Sequence, residues 1–131
     1  MRVSLIIALA ITAFLAASFN ARSDDWPGCV QGTFGGEIEA AGERLKSETR
    51  LNVHDAIVDG TYSFTYKNEL IQGTLTSAVL NQPRSITFRW RAKVGTGTLT
   101  VTFSADCSEF SGEWRTDDNT ATHSWTGKRL G

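Results

Sequence analysis

The chain has 131 residues, 13 basic and 14 acidic, for a formal charge of −1, and it shows no Lys/Arg run. That balance argues against a nucleic-acid or anionic-membrane partner, since both select clustered cations. The length allows one domain around one core and little more.

The chain opens with "MRVSLIIALAITAFLAASFNARS", which has one early arginine, an apolar run from Val3 to Leu15 and then small residues. This is the layout of a secretory signal peptide. The run is short for a transmembrane helix, so an uncleaved anchor is the lesser alternative. Residues 1–21 are expected to be the signal, cut after Ser18 or after Ala21, with residues 22–131 forming a single domain. Without Arg2 the chain keeps 12 basic residues against 14 acidic, a formal charge of −2. A secreted or periplasmic protein with no membrane span after signal removal is the expectation.

Cys29 and Cys107 are the two cysteines. Their spacing excludes a CxxC redox motif and a four-ligand zinc knuckle, and an even count in an exported chain points to a disulfide, with two free thiols as the alternative. Closing so long a loop stabilises a domain by roughly 4 kcal/mol in the chain-entropy view.

Beyond the leader, strands are predicted at 29–39, 43–53, 57–66, 69–78, 84–93, 97–105, 109–115 and 123–130. The segment 37–51 also carries a weak helical pattern through Ile38, Ala41 and Leu45, but Gly42 interrupts it, and it reads as a hairpin. Further along, Val58, Gly60, Tyr62, Phe64 and Tyr66 share one strand face. Ile86, Phe88, Trp90 and Ala92 alternate with Thr87, Arg89 and Arg91; Leu99, Val101 and Phe103 alternate with threonines. Period-2 runs of β-branched and aromatic residues split by short turns indicate an all-β antiparallel meander with one wet face. Eight such strands favour an up-and-down closed barrel, because closure removes exposed edges; a two-layer β-sandwich is the alternative.

A second pattern, apolar-x-Gly-x-apolar, recurs at Gly32, Gly60, Gly73 and Gly112, with a variant at Gly127. All five glycines fall on the apolar parity. Interior glycine costs roughly 0.5–1 kcal/mol relative to alanine, so its repetition needs a compensating gain. Either the strand coils more sharply there, or a bulky ring from another strand takes the vacated space. Ten aromatics, Phe34, Tyr62, Phe64, Tyr66, Phe88, Trp90, Phe103, Phe110, Trp114 and Trp125, share the inward parity. They would overfill an eight-stranded barrel without small neighbours. Two arrangements remain open: a solid aromatic core, or a cup in which Tyr62, Phe64, Phe88, Trp90 and Trp114 line a ligand site.

The meander, with "GTF" at Gly32 to Phe34 and "WTGKR" at Trp125 to Arg129, resembles the calycin superfamily, which includes lipocalins, avidins and bacterial periplasmic metalloprotease inhibitors. In that group a Gly-x-Trp on the first strand packs near an Arg late in the last. Here Phe34 replaces the Trp, the chain is shorter than a typical lipocalin, and no avidin-type biotin contact is matched. The resemblance implies a barrel whose Arg129 stacks on an aromatic ring at the closed end, an exposed terminal arginine being the alternative. It also implies a partner-binding role for the N-terminal residues Asp24, Asp25 and Trp26, as in inhibitors whose N-terminal segment enters a protease cleft. Trp26 alternatively plugs one end of the barrel.

No catalytic constellation, metal set or cofactor motif is apparent. His54 and His123 are far apart in sequence and beside turns. Glu37, Glu39, Glu43 and Glu48 read as a solvated face, "TDDNT" at 116–120 as a turn rather than a calcium loop, and Arg89 and Arg91 with Thr87 as an ordinary wet strip. The leading expectation is an exported binding module for a small apolar or aromatic ligand. The second is a protein-interaction module such as a periplasmic protease inhibitor, and an enzyme ranks third.

Overall fold

The computed structural model describes residues 25–81 and 83–131; residues 1–24, which include the expected signal and Asp24, and residue Gln82 lie outside the described residues. Eight strands follow one another around a closed antiparallel barrel: β1 (Gly32–Ala40), β2 (Glu43–His54), β3 (Ile57–Tyr66), β4 (Glu69–Asn81), β5 (Ser85–Ala92), β6 (Gly95–Phe103), β7 (Glu109–Thr116) and β8 (His123–Arg129). Closure comes from β1 pairing with β8, Phe34 opposite Arg129 through to Ile38 opposite Trp125. The expected meander and its closure are both present.

The turns explain the tight connectivity. Ala41–Gly42, Asp55–Ala56 and Lys67–Asn68 are two-residue links with positive φ at both positions, the turn geometry whose twist matches that of the flanking strands. Gly42 therefore marks a hairpin tip, and the helical pattern around it gives way to β1 and β2.

Two of the strand boundaries that differ from expectation do so for identifiable reasons. Cys29 and Val30, expected at the start of the first strand, lie instead in a 3-10 turn, Gly28–Val30. Cys29 N–H donates to Asp25 O at 2.9 Å and Val30 N–H to Pro27 O at 3.0 Å, local bonds that a strand would forgo. β4 does not stop at 78 but runs to Asn81 through an irregularity between Thr76 and Val79, where Ser77 takes φ 54°. The extra residue bends the strand and leaves Val79 largely exposed.

Five of the glycines show two kinds of gain, and Gly73 and Gly97 combine both, because the carbonyls of Arg91 and Arg115 crowd them as well as the rings. A side chain on Gly73 would collide with the Tyr62 ring, one on Gly127 would come within 2.5 Å of the Phe110 ring, and one on Gly97 within 2.7 Å of the Trp90 indole. These glycines accommodate rings, as the pattern predicts, although Gly97 was not part of it. At Gly60 and Gly112 the obstacle is instead the neighbouring strand, Arg50 O and Leu51 in one case, Thr100 O and Val101 in the other. There the gain is a close backbone approach that coils the wall.

One half of the barrel is solid. Phe34, Phe103 and Phe110 meet edge-on or tilted at centroid distances of 5.4–5.8 Å, and Val30, Ile86, Phe88 and Val101 are buried in the same core. This end is capped by the Cys29–Cys107 disulfide and by Arg129. The Arg129 guanidinium lies 4.8 Å from the Phe34 ring centroid. It donates to Gln31 O at 2.7 Å, Cys29 O at 2.6 Å and Cys107 O at 3.0 Å. It stacks on an aromatic at the closed end rather than hanging free.

Candidate functional site

The other end, where the β1–β2, β3–β4, β5–β6 and β7–β8 connections lie, is open. It holds a cavity of about 180 Å³ bounded by Ile38 and Ala40 of β1, Tyr62, Phe64 and Tyr66 of β3, and Ile71 of β4. Trp90 of β5, Trp114 of β7, Trp125 of β8 and the turn residues Ala41 and Val94 complete the wall.

A single device places the three indoles of the wall. Each indole leans over a neighbouring strand and gives its N–H to the strand beyond. Trp90 of β5 crosses Gly97 of β6 and donates to Arg115 O of β7 at 3.1 Å. Trp125 of β8 reaches Thr49 Oγ1 of β2 at 3.1 Å, which accounts for a buried threonine on an apolar row. Trp114 of β7 reaches Glu39 O of β1 at 3.0 Å. The last bond closes a seam: past Ile38 and Trp125 the β1–β8 ladder ends, and there Ser124 N–H donates to Glu39 Oε1 at 3.1 Å.

The rings meet at steep angles. Trp90 and Trp114 are T-shaped at 5.6 Å and 87°, and Tyr62 and Trp125 at 4.8 Å and 70°. The cavity thus presents ring faces beside ring edges. Burial pushes the Tyr62 phenol up to about 12, which extends its neutral range further into alkali. Among the described residues no charged side chain lines the cavity. Ser47 Oγ, beside Phe64 in the β2–β3 register, is buried and without a partner among the described residues, but Ser47 does not belong to the lining.

Of the five ring residues predicted to line a cup, Tyr62, Phe64, Trp90 and Trp114 surround the cavity; Phe88 does not. It lies one pleat deeper on β5, fully enclosed in the core. Tyr66 and Trp125 carried the right parity without being singled out, and Val94 sits in a turn, where parity carries no information.

Trp26 is half-buried, edge-on to Phe103 at 6.0 Å with the Arg84 guanidinium 5.8 Å from its ring centroid. It packs at the closed end, in the position of a plug. Asp25 is exposed, and Asp24 lies outside the described residues.

The charged and imidazole side chains singled out in the sequence do not belong to the cavity wall. His54 is exposed at the β2–β3 turn, while His123 lies against Trp114 at 4.7 Å near the mouth, so the two histidines occupy opposite ends. Arg89 does not form a free strip with Arg91. It makes a two-pronged pair with Asp117 at 2.7 Å for each prong, and Thr96 Oγ1 donates to the same carboxylate at 2.7 Å. Those donors hold the Asp117 carboxyl well below its ordinary range. Among the described residues no three His, Cys, Asp or Glu side chains are grouped to hold a metal ion, and no helix is long and apolar enough to cross a membrane. In comparison with known proteins, the chain matches no family model and no curated protein.

Proposed function

We propose that this chain is an exported binding module that holds a small apolar or aromatic ligand in the open end of its barrel. The observation that carries the reading is the apolar cavity of about 180 Å³. An apolar space of this kind gives its walls few dispersion partners, and an apolar guest supplies them. The signal-like leader and the disulfide support export. The calycin resemblance favours the same reading, and the Arg129 contact with Phe34 fits what that resemblance implies.

Native mass spectrometry of the protein taken from its host's export fraction tests the proposal. The expected result is a noncovalent added mass of about 80–200 Da, suited to a cavity slightly larger than one that takes benzene, and released on denaturation. A bare chain that also fails to take up xenon or benzene in solution would overturn it.

A further inference from the structure

We infer that the cup selects neutral, planar aromatic molecules of one or two fused rings over aliphatic, anionic and cationic ligands of similar size. The inference rests on the binding reading above and sharpens it to a ligand class.

Size comes first. The cavity, at about 180 Å³, is only slightly larger than the apolar cavity of about 150 Å³ that accepts benzene, so a long acyl chain cannot be enclosed. Polarity comes next. The three indole N–H groups of the lining are already bonded to Arg115 O, Glu39 O and Thr49 Oγ1. A polar guest would lose its water and find no free indole donor, and a carboxylate would find no cation in the lining.

Cations fare no better. Aromatic surroundings attract quaternary ammonium groups, but the lining has no carboxylate, and the Lys67 ammonium already lies 5.3 Å from the Tyr66 ring centroid beside the mouth. What the walls do offer is geometric. The T-shaped pairs Trp90–Trp114 and Tyr62–Trp125 set edges against faces, and a flat ring entering there continues the edge-to-face pattern. A saturated ring of equal size gains the burial without those quadrupolar contacts.

The test is a set of titrations of the whole purified protein with benzene, naphthalene, cyclohexane, benzoate and choline, followed on the indole N–H NMR signals. Trp26, at the closed end, is the internal control. Benzene and naphthalene are expected to shift the signals of Trp90, Trp114 and Trp125 but not Trp26. They should bind at least about threefold more tightly than cyclohexane and about tenfold more tightly than benzoate or choline. Cyclohexane, benzoate or choline binding as tightly as benzene would overturn the ligand class while leaving the binding cup in place. If none of the five shifts a cup indole and xenon does not either, the cup reading and the inference fall together.

Discussion

Tyr62 is a buried phenol whose titration lies well above its ordinary value of 10, at about 12. Because the raised value belongs to the folded state, the unfolded chain gives up this proton first as pH rises. Stability contributed by the neutral phenol is therefore whole below pH 10 and is lost progressively as pH rises toward 12. Urea midpoints measured between pH 9 and 12 are expected to fall for the native protein and to fall less for Tyr62→Phe; identical slopes would mean that Tyr62 is not the group responsible. Arg129 makes a complementary case at the closed end, where one guanidinium serves three carbonyls, two from the N-terminal turn and one from the β6–β7 connection, and covers Phe34. Removing it leaves those oxygens without their charged donor, so Arg129→Met should lower stability by roughly 2–4 kcal/mol. Arg129→Lys should recover only part of that, because an ammonium lacks the planar fork. A loss below about 0.5 kcal/mol in Arg129→Met would place the arginine among ordinary surface residues.

At the scale of strands, the crossing of a ring over a glycine is the unit that shapes the cup, and it separates two substitutions that look alike on paper. In Gly97→Ala the new methyl meets Arg115 O and the Trp90 indole, which cannot both yield. A loss of about 1–3 kcal/mol with a displaced Trp90 N–H signal is expected. In Gly35→Ala the methyl meets only the end of the flexible Leu130 side chain at 3.2–3.3 Å, and thermal unfolding should show a change within about 0.5 kcal/mol. Equal losses in the two variants would contradict the ring-crossing account. The same unit explains what could be read from the residues alone. Alternation in β3, β5 and β7 specified which side chains face inward, and so brought Tyr62, Phe64, Trp90 and Trp114 to the site. Alternation is silent about depth along the barrel axis. Phe88 and Trp90 share a face of β5, yet one belongs to the solid half and the other to the cavity. That difference follows from how the strands stagger around the closed sheet. The irregularity at Ser77 was equally hidden, because it places a residue other than glycine at positive φ.

At the scale of the molecule, the barrel has a solid half and a hollow half, joined through the same eight strands. The Cys29–Cys107 disulfide spans 78 residues of sequence and ties the N-terminal 3-10 turn to the β6–β7 connection, both at the solid end. Between that tie and the cup lies the layer of Phe34, Phe103 and Phe110, which meet one another directly. Cross-linking of this kind acts largely on the unfolded ensemble, so its removal should lower global stability without reshaping the far wall. The double variant Cys29→Ser/Cys107→Ser is accordingly expected to lose about 2–5 kcal/mol in chemical denaturation. Its benzene affinity, read on Trp90 and Trp114, should stay within about twofold of the native value, a change too small to signify a rebuilt site. The Trp26 signal should move, since Trp26 packs on Phe103 beside the lost bond. Were ligand affinity to fall in step with stability, the two halves would be one cooperative unit. The closed end would then help to shape the binding site rather than only close the barrel beneath it.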